Sequence, residues 1–199
     1  FTEFGALDEN HPLFQRIYGD SNMYQRVCTV WRDLPMPVIA AVHGTCFGGG
    51  VQIALGADMR IVHPETKLSV MEVKWGLIPD MGGLYYMPLL MRDDHVRELT
   101  YTGRIVTGEE AASLGLATRT AADPVADAME IAQKIASAAP NAMRQAKAVF
   151  EARPAMDRAQ TLQAESDRQA VIMRSPQFME AVMAGMQQRT PQFRDDDTL

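Results

Sequence analysis

The 199-residue chain has little cysteine, few aromatic residues and no excess of positive charge. Its two cysteines, Cys28 and Cys46, form no CxxC pair, which argues against a disulfide framework and indicates a reducing compartment. Lys and Arg number 19 against 25 acidic residues, and the sequence contains no long run of Lys or Arg. Nucleic acid is therefore not an expected partner. The 4 histidines are dispersed and show no H-E-x-x-H pattern, so no metal site is expected.

Long hydrophobic runs are absent as well. No apolar stretch approaches the ~18 residues that a membrane-spanning helix needs, and no signal peptide is visible, so the expectation is a cytoplasmic protein without a membrane partner. With 47% hydrophobic and 22% charged residues, the chain is long enough to close one core, and one domain is the default expectation.

The first half of the chain alternates between helical and extended patterns. Apolar positions from Met23 have helical spacing until Pro35. Short apolar runs then predict strands at 38–42, 60–62 and 67–70, the first of them buried on both faces. A Gly-rich turn over 44–50 connects the first strand to a short helix. This alternation predicts a parallel sheet with crossover helices.

The second half has a period near 3.6 throughout. This period predicts helices over 125–139, after Pro140, over roughly 155–173 and over 176–187.

The glycine triplet Gly48-Gly49-Gly50 is the first candidate site. It has no Lys followed by Ser or Thr and no G-x-G-x-x-G order, so it is neither a P-loop nor a dinucleotide turn. Three glycines allow a ligand to approach the backbone closely, and amides at the start of a helix suit an oxyanion. The alternative is a crowded packing turn between a strand and a helix.

Two acids, Glu72 and Asp80, lie in an otherwise apolar segment with Gly and Pro breaks. Such a pair can divide the roles of general acid and general base. The alternatives are a surface acid paired with Lys74 for Glu72, and a helix N-cap for Asp80.

An ordered set of segments resembles the crotonase, or enoyl-CoA hydratase/isomerase, family. The resemblance is strong over residues 20–150 and looser as far as Gln188–Phe193. The segments that carry it are Pro37-Val-Ile-Ala-Ala-Val-His43-Gly44, Gly48-Gly49-Gly50, Ala57-Asp58-Met59-Arg60, Glu72 with Gly76-Leu77-Ile78-Pro79-Asp80, and Leu114-Gly115-Leu116.

The resemblance implies an α/β fold, a crotonase-like spiral of ββα turns with a helical C-terminal region that packs in a trimer. Residues 1–120 would form the spiral core, incomplete at its N-terminus, and residues 121–199 the helical region. The first turns of the spiral would precede the point where this sequence begins. The implied partner is an acyl-CoA thioester bound by a homotrimer or hexamer. Coenzyme A is then part of the substrate, and no separate cofactor is expected.

Family members hold the thioester carbonyl between two backbone N–H groups, and Gly49 matches one of these oxyanion donors. Its neighbours Gly48 and Gly50 are expected to contact the substrate. Hydratases of the family place one glutamate two residues after the glycine triplet and a second twenty residues later. Here these positions hold Gln52, which orients groups by hydrogen bonds but takes no proton from water, and Glu72.

The spacing between Glu72 and Asp80 determines which of three hypotheses about function is favoured. This spacing is similar to that of the proton-transferring acids in dienoyl-CoA isomerases of the family. Isomerisation of an enoyl- or dienoyl-CoA double bond through a thioester enolate is therefore favoured, with Glu72 and Asp80 as the acid–base pair. The first alternative is an enoyl-CoA hydratase that uses Glu72 and a water positioned by Gln52. The second is a homologue that binds acyl-CoA or a partner protein without turnover.

Aromatic residues near the acids are further candidates for the substrate site. Trp75 either lines the acyl pocket or packs beneath it. Tyr85 and Tyr86 follow Gly82-Gly83, where many members have Thr-Gln-Arg. They either shape the pocket or fill the core, and the core is favoured because buried tyrosine is common.

Overall fold

The computed structural model describes residues 8–194. They fall into two compact units. The first comprises the described residues up to Leu34 together with Val38–Ala128, and the second comprises Pro35–Pro37 together with the described residues from Met129 onward.

The helices and strands are numbered in chain order. The first unit contains α1 (Met23–Asp33), β1 (Ile39–Val42), β2 (Thr45–Phe47), α2 (Gly49–Leu55), β3 (Met59–Val62), β4 (Lys67–Ser69), α3 (Gly83–Tyr86), α4 (Asp93–Thr102), β5 (Val106–Thr107), α5 (Gly108–Leu114), β6 (Arg119–Thr120) and the start of α6 (Pro124–Ala136). The second contains the rest of α6, α7 (Pro140–Ala152), α8 (Arg158–Ile172) and α9 (Pro176–Met186). Short 3-10 turns occupy Glu72–Trp75, Met87–Leu89 and Arg153–Ala155.

The strands of the first unit form two three-stranded sheets. One has the order β1-β3-β6 with parallel neighbours, and the other has the order β2-β4-β5, in which β2 and β4 are parallel and β5 is antiparallel. The first turn of the spiral consists of β1, β2 and α2, and the second consists of β3, β4 and the helical segment that follows β4. Each turn contributes one strand to each sheet. This is the repeating ββα unit of a spiral, so the predicted α/β class with parallel pairs is confirmed.

Two sequence-based expectations about the first turn are wrong. The strand at Ile39–Val42 is half-buried rather than buried on both faces, because within residues 8–194 β1 pairs on one side only, with β3, which lies between β1 and β6. The Gly-rich turn over 44–50 is interrupted by β2, which pairs with β4 through Thr45–Phe47.

The helix limits follow their local signals. The Asn22 side chain accepts a hydrogen bond from the N–H of Gln25, and the Gln25 side chain accepts one from the N–H of Asn22, so a capping box starts α1. The helix ends one residue before Leu34, which precedes Pro35. The four predicted C-terminal helices are confirmed as α6 to α9, with α8 starting at Arg158.

A hydrophobic core lies within the first unit. Its fully buried members include Val51, Leu55, Val62, Met87 and Leu99. Among residues 8–194, no helix is both long enough and apolar enough to cross a membrane. Across the same residues, no cluster of three or more His, Cys, Asp or Glu side chains is arranged to hold a metal ion.

Candidate active site

Two segments that follow neighbouring parallel strands meet at one end of the second sheet. The N–H of Gly48, just after β2, donates to the carbonyl oxygen of Ser69, the last residue of β4, at 2.9 Å. The start of α2 therefore lies beside the 3-10 turn that begins at Glu72. This arrangement brings Gln52 and Glu72 into contact although they are 20 residues apart.

Glu72 is a buried acid with one oxygen left unpaired. Its side chain is 8% exposed and that of Gln52 is 1% exposed. The Nε2 of Gln52 donates to Glu72 Oε1 at 2.7 Å, whereas Glu72 Oε2 is buried and has no hydrogen-bond partner within the described residues. The surface interpretation of Glu72, paired with Lys74, is wrong because Glu72 is buried while Lys74 is exposed. A buried carboxylate oxygen without a protein partner requires an explanation, and a catalytic role is one that fits this position.

The other end of the Gln52 amide binds the turn that precedes α3. Its Oε1 accepts hydrogen bonds from the N–H of Met81 at 2.9 Å and from the N–H of Gly83 at 3.0 Å. A Cβ at position 83 would lie 2.8 Å from Gln52 Oε1 and 3.1 Å from Pro79 Cβ. Glycine at this position therefore allows the turn to reach the amide.

The glycine triplet borders the same acid. Gly48 has a φ of +51°, in the left-handed region, and a Cβ there would lie 3.5 Å from Glu72 Oε1. A Cβ at Gly49 would lie 3.3 Å from the sulfur of Met81, and Gly50 is exposed. The N–H of Gly48 is used by β4, so it is not free for a substrate, whereas Gly49 is the first residue of α2 and its N–H has no acceptor within the helix.

Asp80 is exposed in the turn, one residue before Met81. The N-cap interpretation of Asp80 is wrong, because the residue that precedes α3 is Gly82 and no side chain caps the helix. No hydrogen bond joins Asp80 to Glu72 among the described residues. The Asp80 carboxylate also affects Cys28 on helix α1. Burial raises the pKa of the Cys28 thiol to about 12, and the negative charge of Asp80 adds to the rise.

Large apolar side chains are exposed between and after the two acids. Trp75 is 70% exposed, so the alternative that it packs beneath the site is wrong, and its contact with the acyl chain stays a prediction. Tyr86 is buried as expected for a core residue, but Tyr85 is 56% exposed and the core interpretation fails for it. Sequence reasoning missed Leu77 and Ile78, which are also exposed. The feature of the sequence that could have identified them is the apolar run between Glu72 and Asp80.

Comparison with known proteins decides the family. The sequence pattern described as enoyl-CoA hydratase/isomerase matches residues 6–196 of the chain. The chain belongs to this family. The resemblance to crotonases is thereby confirmed, and solved structures agree with it. The structure of the enoyl-CoA hydratase from Bacillus anthracis superposes with a TM-score of 0.84 and 32% identity, covering 87% of this chain and 68% of that one.

Two curated relatives match a shorter part of this enoyl-CoA hydratase/isomerase family member. YngF of Bacillus subtilis, whose name places it among enoyl-CoA hydratases/isomerases, is 38% identical over 128 residues, 63% of this chain and 49% of YngF. A carnitinyl-CoA dehydratase of Salmonella typhi is 37% identical over 122 residues, 60% of this chain and 47% of the dehydratase. The chain spans about half the length of these curated relatives.

Proposed function

We propose that this family member acts on an acyl-CoA thioester and transfers a proton through Glu72. The observation that carries the proposal is the unpaired, buried Oε2 of Glu72 beside the glycine triplet. A positioned general acid or base contributes roughly 10²–10⁴-fold to a rate, so the contribution of Glu72 is large enough to measure by substitution. Coenzyme A is part of the substrate, and the proposed chemistry needs no further cofactor.

Double-bond isomerisation is the favoured reaction. Glu72 Oε2 takes a proton from the saturated carbon next to the thioester carbonyl, or next to a double bond conjugated with that carbonyl, and the electron pair moves to the carbonyl oxygen to give an enolate. The N–H of Gly49 donates to that oxygen, a contribution of roughly 10²–10³-fold for one such donor. Asp80 delivers a proton to a second carbon while the electron pair returns, so the double bond has moved. Exchange with solvent then restores both carboxyl groups.

Hydration or dehydration is the second candidate, and the similarity to a carnitinyl-CoA dehydratase favours it. In this reaction Glu72 takes a proton from a water whose oxygen adds to the β-carbon of the double bond, and the electron pair moves to the carbonyl oxygen to give an enolate. Glu72 then returns the proton to the α-carbon as the thioester carbonyl re-forms, and dehydration is the reverse. Gln52 offers that water a single N–H, because its oxygen and its other N–H bind protein groups. This candidate predicts measurable hydration of crotonyl-CoA, strongly raised by Gln52→Glu, which supplies the second carboxylate.

The exposed apolar side chains fit the acyl part of such a substrate. Trp75 and Tyr85 are proposed to contact the acyl chain, since both are exposed close in sequence to the acids. The functional unit is proposed to be a homotrimer or hexamer, as in the family. Analytical ultracentrifugation of the purified protein tests this assembly, and a monomer at working concentration contradicts it.

Isotope exchange tests the reaction directly. The protein is incubated with 3-enoyl-, 2-enoyl- and dienoyl-CoA esters in deuterated water, and the products are analysed by mass spectrometry and NMR. Isomerisation gives deuterium uptake with a shifted double bond, whereas hydration gives an added water. Calorimetric titration with the same esters runs in parallel. Binding without exchange or hydration leaves a homologue that binds without turnover, and absence of binding contradicts all three candidates.

A further inference from the structure

We infer that Gln52 is a positioning residue, which acts through Glu72 and the turn before α3 rather than on a water or the substrate. The inference rests on the proposed function, because it concerns the carboxylate that carries the proton. It differs from the expectation that Gln52 acts by holding a water, since the amide oxygen and one N–H are taken by protein groups.

The hydrogen bonds fix the orientation of the amide. Two backbone N–H groups, of Met81 and Gly83, point at one end of the Gln52 side chain, and only the oxygen accepts hydrogen bonds. The NH2 group must therefore face Glu72, to which it donates at 2.7 Å. Both lone pairs of the oxygen are used, and the side chain is 1% exposed, so the amide has a single arrangement.

This arrangement selects the reactive oxygen of Glu72. Because the Gln52 amide occupies Oε1, the lone pairs of Oε2 remain available for a proton. Because the Gln52 amide is uncharged, Glu72 is the only carboxylate in this pair of side chains. A carboxylate at position 52 would face Glu72 at hydrogen-bond distance, and the pair would share a proton, because two like charges cannot both be held there.

The same amide sets the position of the turn. Met81 is held through its N–H, follows Asp80 in the chain and places its sulfur against Gly49. One side chain therefore connects the proposed base, the segment that carries the proposed acid, and the proposed oxyanion donor. A misplacement of about 1 Å in such a site costs up to roughly 10²-fold in rate.

The test compares Gln52→Met with Gln52→Glu and with a matched control in the second unit. Methionine keeps the length of the side chain and removes all three hydrogen bonds. Protonated glutamate restores them, since its carbonyl accepts from the turn and its hydroxyl donates to Glu72. The control is Gln177→Met, because Gln177 is also buried and its amide also bonds at both ends. It accepts from the backbone N–H of Asn141 and donates to the backbone carbonyl of Arg194.

We expect Gln52→Met to lower kcat by roughly 10–10²-fold with little change in KM, the pattern of lost positioning rather than lost binding. Gln52→Glu should retain more isomerase or exchange activity than Gln52→Met, and its activity should rise as pH falls into the range where the pair holds a proton. Gln177→Met should lose stability and keep kcat.

Amide hydrogen exchange supplies a readout that needs no turnover. The N–H groups of Met81 and Gly83 should be protected in the native protein and in Gln52→Glu, and lose protection in Gln52→Met. Unprotected amides in the native protein overturn the inference, as does an unchanged kcat in Gln52→Met or an equal loss in Gln177→Met. A native protein that neither exchanges nor converts any acyl-CoA contradicts the proposed function instead, and this result is visible before any variant is made.

Discussion

The backbone N–H of Gly83 lies 3.0 Å from Gln52 Oε1, although the two residues are 31 positions apart. The contact exists because α2 and the turn before α3 approach each other where position 83 has no side chain. Glu72 accepts from the opposite end of the same amide. The geometry of the candidate acid therefore depends on a glycine eleven residues after it in the chain.

Gly83→Ala is expected to destabilise the protein and displace the turn. A new Cβ would lie 2.8 Å from Gln52 Oε1 and 3.1 Å from Pro79 Cβ, closer than normal contact. Overpacking of this kind costs about 1–3 kcal/mol of unfolding free energy. Chemical denaturation measures the cost, with Gly185→Ala as control, since a Cβ at Gly185 on α9 meets nothing within 4 Å. Equal effects of the two changes would contradict the packing explanation.

Glu72→Gln is expected to abolish proton transfer and preserve binding. The variant keeps the size of the side chain and removes the basic oxygen, so kcat should fall by roughly 10²–10⁴-fold. Steady-state kinetics and calorimetric titration with the same acyl-CoA measure the two effects separately. Glu65→Gln, an exposed acid in the turn between β3 and β4, is the control and should behave as the native protein. Full activity in Glu72→Gln would exclude Glu72 as the proton-transferring group.

Asp80→Asn distinguishes the two reactions. If Asp80 delivers the second proton, the variant should still exchange deuterium at the carbon that Glu72 deprotonates but should move the double bond far more slowly, by roughly 10²-fold or more. NMR of the labelled product locates the deuterium. Under the hydratase alternative, hydration should be little affected by this change, because Asp80 is exposed and has no hydrogen bond to Glu72. An Asp80→Asn variant with a native rate of double-bond migration would rule out the acid role.

The two buried thiols are expected to make stability fall at alkaline pH. Burial raises the pKa of Cys28 to about 12 and that of Cys46 to about 11, from an ordinary value of 9.0. Below pH 9 both states hold the protons, and the full stability is present. As the pH rises from about 9 towards these folded-state values, the unfolded chain loses thiol protons first, so the free energy of unfolding decreases. Denaturant titrations from pH 8 to 11 measure the decrease, which should be smaller in a Cys28→Ala, Cys46→Ala double variant.

The chemical modification of these thiols gives an independent check. Both cysteines are free and buried, and the thiolate is the reactive form. The folded protein should therefore resist a thiol-specific reagent at pH 8, whereas both thiols should react in denaturant. Rapid labelling of the folded protein would show that one of the thiols is accessible.

Elements with strong local signals were predictable from the sequence. Pro35 and Pro140 mark the end of α1 and the start of α7, because proline cannot supply an N–H inside a helix. The Gly-rich segment correctly indicated that a short helix follows the first strand. The carboxylate Glu72 was also identified from its apolar surroundings, and the structure shows it buried.

The remaining features depend on contacts between distant residues. Whether β1 is an edge or a central strand is decided by where β3 and β6 pair, which the apolar run at 38–42 does not encode. Tyr85 and Tyr86 are identical in type, and only the placement of the short helix α3 makes one exposed and the other buried. The contact partners of Gln52 lie 20 to 31 residues away, so no local pattern could predict them.

The three hydrogen bonds of the Gln52 amide also determine when during folding the site can exist. They join residues separated by 20, 29 and 31 positions, so closing them requires α2, the turn at Glu72 and the segment around Met81 to have docked together. The chain must lose the entropy of closing loops of this length before these hydrogen bonds can stabilise it. We therefore expect the bonds to form late in folding. Recovery of proton transfer after dilution from denaturant should therefore lag behind the recovery of helical signal, and catalysis would report the last step of refolding.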